Sequence, residues 1–148
     1  MIALSVLILI SVALLYWKGS SGFVALFSGS VIAAFALTTT TLAEQLRSRG
    51  TTEEAQGMYL AGAFAIIALV VAYLLNVSFS SYRSHSHDAL YAIVMGVLFS
   101  GLVITVGYSI GFYNLFSIPS AIAIAFQYQY AFFAWIGANL VGNWFLRR

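Results

Sequence analysis

The chain has 148 residues, of which 62% are hydrophobic, 16% aromatic and 7% charged, with a formal charge of +2 and a mean hydropathy of +0.98. So small a charged fraction, against about 25% in soluble domains, excludes a water-soluble globule, and six basic residues are too few for a continuous nucleic-acid footprint. With no cysteine, disulfides, thiolate-ligated zinc and thiol chemistry are excluded as well.

What remains is one integral membrane domain over 1–148, an all-α polytopic transmembrane helix bundle with the lipid bilayer as its solvent. A crossing takes about 20 apolar residues at 1.5 Å per residue, and five spans are predicted. The first, 2–17, is short; Trp17 and Lys18 follow it as an interfacial anchor rather than a signal-peptide cleavage site, so it reads as retained. A tight turn at 18–21 leads to the second span, 22–43, which carries the Ser and Thr of TTTTL. The loop 44–56 holds five of the ten charges. The third span, 57–79, is the most hydrophobic, and the loop 80–88 connects it to the fourth, 89–112. The connection 113–119 holds the only proline; Pro119 is placed to begin the last helix, where its missing N–H costs nothing. The fifth span, 120–145, is the most polar. With five spans, Lys18, Arg83, Arg147 and Arg148 share one side and Arg47 and Arg49 the other, which predicts the N-terminus outside and the C-terminus in the cytoplasm.

The sequence offers no catalytic constellation. Glu44, Glu53, Glu54 and Asp88 lie in or beside loops, and no ionisable residue falls in the middle of a span, where pumps and antiporters place theirs. In SHSHD, His85, His87 and Asp88 resemble part of a metal site, but zinc takes three or four protein ligands and no third histidine exists. The expectation is a solvated interfacial loop in which Asp88 caps the next helix, with no metal and no cofactor.

Two patterns within the spans are more specific. In HDALYAIVMGVLFSG, Ala92, Gly96 and Ser100 recur every fourth residue, with Gly101 beside them. Related lines are Ala25, Gly29 and Ala33; Gly57, Ala61 and Ala65; and Gly107 with Gly111. Because lipid tails are as apolar as leucine, membrane helices associate through close backbone approach, which small residues at this spacing permit. Ala92, Gly96, Ser100, Gly101, Gly29 and Ala33 are therefore the candidate helix-packing residues, within the chain or between copies. In the last span Gln127 and Gln129 alternate with tyrosines, and Asn139 and Asn143 share a face. They form a candidate polar intramembrane site, serving interhelical hydrogen bonds in one reading and a pore or lipid-headgroup contact in the other.

Asp88, Ala92, Gly96 and Ser100–Gly101 resemble the D-x-x-x-G-x-x-x-G-x-x-x-G pattern of the CvpA family, small bacterial inner-membrane proteins named for colicin V production. Lys18, Gly19, Gly22, Phe23 and Val24 resemble that family's basic glycine turn and the Gly-Phe-Val opening its second helix. The resemblance covers about residues 1–112; Ala92 and Ser100 stand where the family has glycine, and the last span departs from its C-terminal segment. It implies a non-enzymatic inner-membrane protein connected with envelope homeostasis or export, acting as a homo-oligomer. The alternative is an accessory or scaffold subunit docked on membrane-protein partners in a larger respiratory, photosynthetic, secretion or viral membrane assembly.

Overall fold

A computed structural model describes residues 2–78, 89–116, 118, 120–128 and 130–146. These residues form six α-helices and one 3₁₀ turn: α1 (Ile2–Thr39), α2 (Leu42–Arg49), α3 (Glu53–Ser78), α4 (Ala89–Ile110), the turn Tyr113–Leu115, α5 (Ser120–Gln127) and α6 (Ala131–Leu146). Three helical stretches are long and apolar enough to cross a membrane: Ser21–Thr39 within α1, Glu53–Val77 within α3, and Ala89–Ile110. Helix α1 packs along both α3 and α4, and α4 also packs on α6.

The segment 18–21, expected as a tight turn between two spans, is helical, so α1 runs through 38 residues. A single helical glycine costs only about 1 kcal/mol, less than leaving several backbone groups unpaired in an apolar surrounding. At 1.5 Å per residue α1 is about 57 Å long, nearly twice the roughly 30 Å of bilayer hydrocarbon. Both of its halves belong to the bundle: Val12 lies against Gly96 of α4, and Gly29 against Ala68 and Ala72 of α3. The helix ends in the threonine run, where the hydroxyls of Thr38, Thr39 and Thr40 donate to the carbonyls of Ala34, Phe35 and Ala36 at 2.9, 2.6 and 2.6 Å. Three polar side chains thus close their own hydrogen bonds on the helix that carries them.

Helix α3 starts four residues earlier than the expected span, at Glu53. Thr52 accepts a hydrogen bond from the Ala55 N–H at 3.2 Å, which caps the helix, and Glu53 and Glu54 occupy the first turn, where carboxylates favour the positive end of the dipole. Helix α4 ends two residues before the expected boundary. Gly111 has φ +105°, and the amide of Phe112 reaches back to the Gly107 carbonyl at 2.9 Å, the six-to-one bond of a Schellman motif. Glycine is required at 111 because that backbone angle is strained for any residue with a Cβ.

The expected fifth span is divided into α5 and α6. The Ala131 N–H donates to the Tyr128 carbonyl at 2.8 Å, closing a turn. The reason is visible in the rings: Phe126 stacks on Trp135 at 5.4 Å between centroids, whereas nine residues of continuous helix would separate them by about 13.5 Å along the axis. The chain must fold back to make that contact. Neither half, at 8 and 16 residues, covers the hydrocarbon alone.

Two contacts show which ends of the helices meet. Gly57, near the start of α3, lies against Phe112, and the Arg47 guanidinium of α2 donates to the Ile110 carbonyl at the end of α4. Arg47 therefore caps an orphan carbonyl and places a cation at the negative end of the α4 dipole. The connections 44–56 and 113–116 thus share one end of the bundle.

Candidate functional site

Helix α4 is the most buried of the three membrane-compatible helices and packs against α1, α5 and α6. Ala92, Met95, Ser100, Leu102, Thr105 and Val106 are each at most 1% exposed. A Cβ added at Gly96 would lie 2.6 Å from a Val12 methyl and 3.1 Å from the Val12 Cα, so α1 approaches α4 as closely as backbones allow. One turn on, the Ser100 hydroxyl donates to the Gly96 carbonyl at 2.7 Å and the Ser11 hydroxyl to the Leu7 carbonyl at 2.8 Å. The two hydroxyl oxygens face each other at 3.3 Å, their protons already committed to their own helices. Gly101, one residue further round α4, is covered by the Trp135 indole of α6. Gly107 is covered by the rings of Phe112 and Phe116, 3.0 and 2.8 Å from an added Cβ.

The six candidate packing residues therefore serve more than one contact. Gly96 and Ser100 meet the N-terminal half of α1, Gly101 meets α6, and Gly29 meets the Ala68 carbonyl and the Ala72 amide of α3. Ala92 and Ala33 are buried at 1% and 0% exposure.

The four candidate polar residues are also separated. Asn139 is fully buried; its amide nitrogen donates to the Leu98 carbonyl of α4 at 3.0 Å and to the Trp135 carbonyl at 2.7 Å. Its Oδ1 is buried and accepts no hydrogen bond among the described residues. Asn143, one turn on, accepts from the Tyr91 hydroxyl at 2.8 Å. Both asparagines thus clasp α6 to α4. Gln127 lies elsewhere, in a cleft between the end of α4 and α5, and Gln129 lies outside the described residues, as do His85, His87, Asp88 and Pro119.

That cleft, about 400 Å³ in volume, is lined by Tyr108, Tyr113, Asn114, Ser120 and Gln127 with Ile118 and Ala123. A smaller hollow of about 180 Å³ adjoins it and shares Tyr108 and Gln127. The glycine-capped turn after α4 makes the cleft, because reversal at Gly111 lays the Tyr113 ring on Tyr108 with centroids 5.0 Å apart and planes within 5°. Among the described residues no charged side chain lines it. Tyr91, Tyr108, Asn114 and Ser120 were not singled out in the sequence; Tyr91 and Tyr108 fall within the expected fourth span, Asn114 in the connection 113–119 and Ser120 at the start of the expected fifth span. Among the described residues no group of three His, Asp or Glu gathers as metal ligands would.

The class these observations define, among the described residues, is an all-helical bundle with three membrane-compatible helices, α1, α3 and α4, in which α1 packs on both of the others. No family model, curated protein or solved structure matches the chain.

Proposed function

We propose that this chain is a non-enzymatic integral membrane protein that acts by helix association, as a CvpA-like homo-oligomer serving envelope homeostasis or export in a bacterial inner membrane. The observation that carries the association is the exposure of α3. It is as apolar as α4, yet only 22% of its most apolar stretch is buried, against 67% for α4. Its outward side includes Met58, Ile66, Leu69 and Tyr73, and at Gly62 an added Cβ would meet nothing within 4 Å. A small residue beside large apolar ones on an open helix face is the arrangement that lets a second membrane helix approach closely.

The CvpA-like assignment rests on the resemblance of Asp88, Ala92, Gly96 and Ser100–Gly101 to the family pattern, and the inner-membrane location rests on the same resemblance. In the proposed topology the continuous α1 makes one crossing where two were expected, so the end bearing Arg47 and Arg49 faces outward, both termini are cytoplasmic, and α5 and α6 together complete the fourth and last crossing. Reporters fused at Gly50 and after Arg148 should then report opposite sides; identical signals overturn the last crossing.

Particle mass after mild-detergent extraction, with mass spectrometry of everything that co-purifies, tests the association. A homo-oligomer that Gly62→Leu or Ile66→Trp dissociates is the expected result. Stoichiometric co-purification of a different membrane protein would replace it with the accessory-subunit reading, and a monomer with no partner in both bilayer and detergent would overturn both.

A further inference from the structure

We propose that the cleft between the end of α4 and α5 binds an uncharged, hydroxyl-rich group of the glycosyl kind, carried on a lipid headgroup or as a free saccharide. The inference is independent of the oligomerisation proposed above, and neither fails with the other. Its first support is unmet hydrogen-bonding capacity. Several polar side chains of the bundle close on nearby carbonyls, as Ser11, Thr38, Ser100, Thr105 and Asn139 do. In the cleft, the side chains of Tyr108, Tyr113, Asn114, Ser120 and Gln127 converge, and among the described residues none makes a hydrogen bond to the protein. The volume of about 400 Å³ lies within the roughly 300–1,000 Å³ of ligand sites.

The second support is the kind of polarity. An anionic headgroup or phosphate is held by Arg or Lys, and among the described residues neither lines the cleft. Amides and hydroxyls each donate and accept, which matches hydroxyls that do the same. The third is the tyrosine pair: Tyr113 laid flat on Tyr108 is a preset aromatic platform, and the C–H face of a sugar ring packs on such a surface through apolar and weak hydrogen-bond contacts. Its position beyond the last turn of α4, at the end of the bundle where Arg47 also lies, suits the headgroup depth at which tyrosines gather.

The full chain is reconstituted into phosphatidylcholine nanodiscs, alone or with equal amounts of a glucosyl diacylglycerol and phosphatidylserine, and retained lipid is read by native mass spectrometry. Free glucose is examined in parallel by saturation-transfer NMR. The expected result is selective retention of the glucosyl lipid, or saturation transfer to glucose, weakened at least about tenfold in Asn114→Leu/Gln127→Leu, which removes two hydrogen-bonding side chains. Tyr113→Leu, which removes the platform and leaves both amides, should weaken binding as well. Asn114 and Gln127 are exposed, so an unchanged unfolding temperature without sugar confirms that the variants fold. Retention of the lipid without binding of glucose assigns the headgroup; binding of both assigns the saccharide itself. The proposal is overturned if neither probe binds above the phosphatidylcholine background, if phosphatidylserine is retained in preference, or if the folded double variant binds like the unsubstituted chain.

Discussion

Helices α3 and α4 differ little in length, 26 and 22 residues, and little in apolarity, yet α4 is three times as buried in its most apolar stretch. The contrast lies in how many sides of each helix admit a neighbour. Helix α3 buries a single line, Leu60, Phe64, Ala68 and Ala72, each four residues after the last, and α1 packs along the helix. Helix α4 carries glycines on two sides, with Val12 on Gly96 and Phe112 on Gly107 along one and Trp135 on Gly101 on another. Apolarity commits a helix to lipid, while closeness of approach decides its place among other helices, because van der Waals contact is the main attraction left where the solvent is itself apolar.

The largest effect that would break this contrast is expected at Gly96. Leucine there must displace the Val12 backbone, and overpacking of a tight contact costs about 1–3 kcal/mol, sometimes more. Thermal unfolding in bilayers or mild detergent should show Gly96→Leu strongly destabilised, and a wild-type midpoint would mean that α4 is not closely packed at all. Next comes Asn139→Ala, which removes both bonds from α6 and should cost about 1–3 kcal/mol. The loss should appear as faster protease cleavage within 120–146, with α1 and α3 retaining their protection. Tyr91→Phe deletes only the hydroxyl that Asn143 accepts, and membrane hydrogen bonds average about 0.6 kcal/mol; a double-mutant cycle with Asn143→Ala should return a coupling of that size. The smallest change in protomer stability is expected from Gly62→Leu on α3, within about 0.5 kcal/mol. Destabilisation equal to that of Gly96→Leu would erase the distinction between the two helices.

Several features of the structure are legible in the chain. The helix over 89–110, the close packing at Gly96 and the shared side of Asn139 and Asn143 all follow from local spacing, since a period of 3.6 fixes which residues lie on one side of a helix. The spacing does not say which neighbour each side meets. Ser100 and Gly101 are adjacent in sequence and touch different helices, and Gln127 is separated from the asparagines because the chain folds back after α5.

By itself the sequence determined the solvent and the class of the protein. A chain this poor in charge must satisfy its backbone internally, and stretches such as 53–77 and 89–110 are long and apolar enough to do so as spanning helices. Tertiary contact decided the rest. Between 18 and 21, Lys18 and Gly19 signal a turn, but the helical hydrogen bonds continue. Between 127 and 131 no glycine or proline signals a break, but stacking of Phe126 on Trp135 requires one. The cleft likewise depends on a reversal at Gly111 that brings Tyr108 to Tyr113 and on α5 lying across the end of α4. These are meetings between residues whose spacing along a regular helix would keep them apart, and they exist only once the chain has folded on itself.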